Sequence, residues 1–120
     1  MPDDIVLLAA ILEQARLIKQ RMNTTSRQEF DADLFLQLAF DKLLQNIGES
    51  ARIVSEAGRA RVPALPWKQI VGMRHRLVHE YFRTDGELIW STCHEPIDRL
   101  LEALNPIVGA ILDRRKDKDE

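Results

Sequence analysis

The sequence of 120 residues has little of what several protein classes require. Its one cysteine, Cys93, excludes an internal disulfide framework and agrees with a reducing compartment. Five glycines and five prolines are too few for a loop-rich all-β domain. The apolar run Ile5–Leu12 is far shorter than the roughly 18–20 residues that span a bilayer, and two acids precede it where a signal peptide carries positive charge. These absences predict a cytoplasmic protein with no membrane segment.

Hydrophobic spacing predicts four helices. Apolar residues recur every three or four positions, which is the period of one helix face. Capping signals set several ends: acids before the first helix, Gly58 in a left-handed conformation after the second, and a Thr84-x-x-Glu87 capping box before the fourth. The predicted spans are Asp3 to about Met22, Asp31 or Asp33 to Ala57, Pro66 to about Tyr81, and Thr84 to about Arg114.

These spans predict an all-α fold, an antiparallel four- to five-helix bundle. Pro96 and Pro106 fall in the fourth span, and each should kink or split that helix because proline lacks the amide hydrogen and clashes with the preceding turn. Residues 1–113 are expected to form a single domain, followed by a charged tail over residues 114–120.

The third predicted helix concentrates the residues able to do chemistry. Residues 74–81 hold two of the three histidines, two arginines and the one tyrosine. At about 100° per residue, His75 and His79 share one face, while Arg74, Val78 and Tyr81 share the neighbouring face.

Three interpretations of this segment are open from spacing alone. One is phosphodiester cleavage, in which histidine moves protons and arginine stabilises charge on the phosphorus centre. A second is metal binding by the His75 and His79 pair, although two ligands are too few and the remaining histidine lies in another helix. The third is structural: Arg76 and Glu80 form a surface ion pair, and the histidines lie half-buried between helices.

The residues of this segment also resemble a known family. Arg74–Tyr81 resembles the Arg-x4-His-x-Tyr signature of HEPN-domain ribonuclease toxins, more narrowly the HepT toxins of the HepT/MntA type II or VII toxin–antitoxin systems. Asn46–Ala51 resembles the family's second helix and Pro66–Arg74 the start of its third. Tyr81-Phe82, followed by Asp85 and Trp90, resembles the exit from that helix. The resemblance spans nearly the whole chain.

The resemblance implies a HEPN-type bundle and a metal-independent ribonuclease, an RNA endonuclease or a 3′-end trimming enzyme, with no cofactor. Arg74 and His79 would be the catalytic pair. Tyr81 would be the tyrosine that a partner nucleotidyltransferase modifies with AMP. His75 occupies a polar position where many members have Asn or Asp, so proton transfer, orientation of His79 and simple surface exposure are all open for it.

Glu49 and Arg52 are secondary candidates in the second helix, and Gly48 lies beside Glu49. Glycine costs about 1 kcal/mol against alanine inside a helix, and close approach of another helix is the simplest reason to keep it. Glu49 can then reach across and hold Arg74, in a supporting role. The alternative is an ordinary solvated carboxylate.

Three partners are expected. Arg74 and His79 lie about 140° apart on one helix, which favours a homodimer that brings two copies of the motif into one cleft. The resemblance implies the same homodimer, an antitoxin nucleotidyltransferase and an RNA substrate. The alternative function is a catalytically silent HEPN module that binds the nucleotidyltransferase.

The charge distribution bears on the RNA substrate. The total of 17 basic and 19 acidic residues argues against an indiscriminate nucleic-acid-binding protein. Residues 59–83, however, contain six basic residues against one acid, a local charge of +5 that a dimer would double. This segment suits a phosphate backbone, and Lys68, Arg76 and Arg83 are the candidate RNA-binding residues.

Overall fold

Four long helices, joined by shorter helical segments, build the fold. The structure, a computed structural model, describes residues 3–79 and 84–119, with side chains as far as Arg115. Within those ranges there is no strand, which confirms the predicted all-α bundle. The helices are α1 (Asp4–Met22), α2 (Arg27–Ala32), α3 (Leu34–Ile53), α4 (Glu56–Ala60), α5 (Trp67–His79), α6 (Gly86–Thr92) and α7 (Glu95–Asp119).

The long helices pack in the order α7, α1, α3, α5. The most extensive contacts join α7 to α1, α1 to α3, and α3 to α5. Helix α1 is therefore central, and its three–four spacing of apolar residues buries side chains such as Leu8, Ile11, Leu12 and Ile18 completely. Each such burial contributes about 1.5–3 kcal/mol. Helix α5, by contrast, lies at the edge of the bundle and packs mainly on α3.

The predicted end of the second helix, at Ala57, is wrong. Helix α3 stops at Ile53, and Gly58 lies inside the short α4 rather than in a left-handed cap. No described glycine has a positive φ. The reason is a new start signal: the Ser55 side chain accepts a hydrogen bond from the Gly58 amide and begins α4. Glycine is needed there because a Cβ would lie 2.6 Å from Cγ of Asp4.

The predicted start of the second helix at Asp33 is confirmed, because that carboxylate caps α3 through the Leu36 amide. Helix α2 was not predicted; Ser26 caps it, and it buries Phe30. In the fourth predicted span the cap of α6 is Asp85, not Thr84, because its side chain accepts from the Leu88 amide.

The prolines act differently from one another. The fourth span is divided into α6 and α7 by a turn at Cys93–His94, and Pro96 follows as the second residue of α7, where its missing amide hydrogen has no helical partner to lose. Pro106 lies inside α7 without ending it. Its side chain is exposed, so water can reach the carbonyl that proline leaves unpaired.

Helix α7 continues through residues 114–119, the segment predicted as a charged tail. Among the described residues, none of the helices combines the length and apolar content that a bilayer crossing requires.

Candidate active site

Arg74 lies at a close contact between α5 and α3. Its Nε is 3.0 Å from Oε2 of Glu49. Gly48 permits this approach, because a Cβ at that position would lie only 2.2 Å from Cβ of Arg74. The close approach at Gly48 and the contact between Glu49 and Arg74 are both as the sequence predicted.

Glu49 lies between two guanidinium groups. Nη2 and Nε of Arg52, one turn further along α3, donate to its two carboxylate oxygens at 2.7 and 3.2 Å. These hydrogen bonds, together with the charges of Arg52 and Arg74, hold the pKa of Glu49 below its usual value, so the carboxylate stays ionised at neutral pH.

The three groups carry a net charge of +1, since two guanidinium groups outnumber one carboxylate. The ion pair engages Nε of Arg74, and neither Nη of Arg74 donates a hydrogen bond to any described residue. A planar fork held in this way suits a phosphate oxygen.

His75 and His79 lie side by side on the exposed face of α5. Their ring centroids are 4.1 Å apart with an interplanar angle of 53°, as expected for residues one turn apart on one face. Both residues are exposed, which excludes half-burial between helices of this chain.

The candidate RNA-binding residues are placed differently. Lys68 is exposed at the start of α5. Arg76 lies 3.7 Å from a carboxylate oxygen of Asp85, so part of its charge is compensated within the chain. Arg83 lies outside the described residues, as do Tyr81 and Glu80, the predicted partner of Arg76.

The basic segment over residues 59–83 is thus partly neutralised by its surroundings. Arg74 and Arg76 each face a carboxylate from outside this segment, Glu49 and Asp85 respectively. Arg59 keeps its full charge, donates to the Ala51 carbonyl and lies over the Trp67 ring, 5.5 Å from its centroid. The local excess of positive charge is smaller in the fold than the sequence count suggests. Within the described part of the chain, no group of three or more metal-ligating side chains could hold an ion.

Comparison with known proteins identifies the family of the chain. The profile of a family described as "Ribonuclease HepT-like" matches residues 11–107, which include α5 and the residues around it. The chain belongs to the HepT-like ribonuclease family. The resemblance and the ribonuclease activity inferred from it are confirmed.

Individual relatives extend the match over most of the chain. "Putative RNase TTE0752" of Caldanaerobacter subterraneus subsp. tengcongensis is 33% identical, covering 84% of this chain and 90% of the relative. "Probable ribonuclease HepT" of Thermococcus cleftensis is 30% identical, covering 78% and 84%. "Putative RNase MJ1380" of Methanocaldococcus jannaschii is 31% identical, covering 75% and 83%. No solved structure matches the chain significantly.

Two contacts of this HepT-like ribonuclease were not predicted, although Arg52 itself was a secondary candidate. Arg52 forms an ion pair with Glu49. The spacing of three residues on one helix could have predicted this contact. Asp85 both caps α6 and faces Arg76. An aspartate just before a helix is a usual cap, but its contact with α5 depends on tertiary packing.

Proposed function

We propose that this HepT-like ribonuclease is the toxin of a toxin–antitoxin system and cleaves or trims RNA without a metal ion. Its site is the Arg-x4-His pair, with His79 transferring a proton and Arg74 stabilising negative charge on the phosphorus centre. The observation that carries this proposal is the Arg74 guanidinium on α5, held by Glu49 of α3, together with two exposed histidine rings on the same α5.

The nucleophile is the ribose 2′-OH. His79 removes its proton or protonates the leaving oxygen, and the product is a cyclic phosphate. Substrate use is thereby confined to RNA, because DNA lacks the 2′-OH. Glu49 is a positioning residue, since it holds the guanidinium and does not touch the substrate.

The test measures cleavage of RNA and of its 2′-deoxy counterpart by purified protein in excess EDTA. We expect cyclic-phosphate ends from RNA alone and no cleavage by His79→Ala. The matched control is His94→Ala, because His94 lies at the α6–α7 turn with Nδ1 2.6 Å from the Trp90 carbonyl oxygen. Full activity in a folded His79→Ala protein, or equal losses in both variants, would contradict the assignment.

We also propose that the protein is a homodimer. Among the described residues, helix α5 packs mainly on α3, and its histidine-bearing face is exposed. Leu34, Phe35 and Leu38, at the start of α3, are 58, 86 and 44% exposed. Clustered exposed apolar side chains often mark protein contacts. We expect a dimer by light scattering, and Phe35→Glu should shift it towards monomer. A wild-type monomer that cleaves RNA at micromolar concentration would contradict the dimeric site.

Regulation by an antitoxin nucleotidyltransferase is proposed through Tyr81, two residues after His79 in the sequence. An AMP group there would add bulk and negative charge beside the phosphate site and so inhibit RNA binding. The intact mass of the protein, measured after incubation with the nucleotidyltransferase and ATP, should rise by one AMP in the wild type and stay constant in Tyr81→Phe. AMP on the Tyr81→Phe protein would refute the assignment.

A further inference from the structure

The two exposed histidines of α5 differ from the third histidine of the chain. His94 is engaged: Nδ1 contacts the Trp90 carbonyl, and the ring packs on Trp90 with centroids 4.4 Å apart. His75 and His79 contact each other, and no ring nitrogen of either hydrogen-bonds to another described residue. Their nitrogens are available to a substrate, whereas those of His94 are partly occupied.

Charged groups lie on α5 next to the two histidines in sequence and on the segments packed beside that helix. On α5 itself these are Arg74 and Arg76, and Glu49 and Arg52 face Arg74 from α3. Asp85, before α6, faces Arg76. Among the described residues, no carboxylate lies within ion-pair distance of either imidazole.

We propose that His75 is the second proton-transfer residue of this site and acts as general acid while His79 acts as general base; this proposal rests on the proposed function. In-line displacement at phosphorus places the attacking and leaving oxygens on opposite sides. One imidazole therefore cannot serve both oxygens at the same moment. Two imidazoles on one helix face, with ring centroids 4.1 Å apart, can each contact one of the two oxygens.

The step balances with these two groups alone. The O2′–P bond forms while the P–O5′ bond breaks. The 2′-OH proton passes to the neutral imidazole of His79, and the imidazolium of His75 gives its proton to O5′. The products are a 2′,3′-cyclic phosphate and a 5′-OH. Exchange with water then returns each imidazole to its starting protonation state.

The test replaces the oxygen that His75 would protonate. An RNA with a 5′-bridging sulfur at the scissile phosphate needs no general acid, because a thiol is far more acidic than an alcohol and leaves as thiolate. The variant is His75→Asn, whose amide can hydrogen-bond but cannot transfer a proton at neutral pH. His75→Gln is a second variant, and His94→Asn is the matched control.

We expect His75→Asn to cleave ordinary RNA at least about 100-fold more slowly than the wild type, the scale of a lost general acid. It should cleave the sulfur-bridged RNA at close to the wild-type rate, while His79→Ala should stay slow on both substrates. The bell-shaped pH dependence of the wild type should lose its alkaline limb in His75→Asn on ordinary RNA.

Two outcomes would overturn the role of His75. One is unchanged cleavage of ordinary RNA by both His75 variants. The other is an equal loss on the two substrates, which would indicate a binding or structural role. If the wild type cleaves neither RNA, the proposed function itself fails, and this result is distinct because it appears before any substitution is made.

Discussion

Adding one methyl group at Gly48 should loosen the fold and inactivate the enzyme together. In Gly48→Ala the new Cβ would lie 2.2 Å from Cβ and 2.9 Å from Cγ of Arg74. Carbon atoms normally stay at least about 3.5 Å apart. Because Cβ of Arg74 is fixed by its backbone, no side-chain rotation relieves the clash. The two helices must separate by about 1.3 Å at this point.

Two opposing contributions determine how Gly48→Ala changes the free energy of unfolding. Replacing glycine by alanine inside a helix stabilises it by up to about 1 kcal/mol. Overpacking costs about 1–3 kcal/mol, and a contact as short as 2.2 Å should cost about 2–3 kcal/mol of that range. The matched control is Gly72→Ala in α5, where nothing lies within 4 Å of the added Cβ and only the favourable term applies. We expect Gly48→Ala to lower the free energy of unfolding by about 1–2 kcal/mol and Gly72→Ala to raise it by up to about 1 kcal/mol.

Urea unfolding followed by circular dichroism measures both variants. With a slope of about 2 kcal/mol per M, the midpoint of Gly48→Ala should fall by about 0.5–1 M while the slope stays constant. Cleavage should fall by about 100-fold, since a misplacement of about 1 Å at a catalytic group has effects of that order. Wild-type stability in Gly48→Ala, with the control behaving as expected, would refute the reasoning about this contact.

Three further predictions follow from the structure. Burial raises the pKa of the Cys93 thiol to about 12, so a maleimide should label it only after unfolding, and rapid labelling of native protein would contradict this. Because the folded pKa exceeds the unfolded value of 9.0, the thiol's contribution to stability is complete below pH 9 and is lost as pH rises towards 12; Cys93→Ala should lack this part of the alkaline loss. Asp85→Ala should lower the free energy of unfolding by about 1 kcal/mol, whereas Asp85→Asn keeps the cap and should lose much less by the same urea assay. Lys68→Ala should weaken RNA binding equally for different sequences and reduce the salt dependence by about one charge; an unchanged salt slope would exclude a phosphate contact there.

The sequence predicted the parts of the fold that local rules determine. Helices α1 and α5 and the start of α3 follow from apolar spacing and from caps such as Asp33, because these signals act within one or two turns. The predicted end of α3 was wrong because Ser55 and Gly58 both contact Asp4. The Asp4 carboxylate accepts a hydrogen bond from the Ser55 amide, 51 positions along the chain. Tertiary contacts of this kind leave no local signal.

The same distinction between local signals and tertiary contacts applies to the candidate site. Gly48 was informative because glycine is costly in a helix, so its presence predicted a close neighbour, and Arg74 is that neighbour. The pairing of the two histidines followed from helix periodicity. The compensation of Arg76 by Asp85 could not be predicted, because it depends on where α6 lies relative to α5.

Because α5 lies at the edge of the bundle, the free energy of opening the site differs from the free energy of unfolding the whole domain. A helix held mainly by one neighbour can detach while α1, α3 and α7 stay assembled, so its opening costs less than global unfolding. Amide hydrogens of α5 should therefore exchange with solvent faster than those of α1. On heating, cleavage should disappear at a lower temperature than the helical signal of the bundle. Anything that covers the outer side of α5 would raise the temperature at which activity is lost and leave the melting of the remaining core largely unchanged.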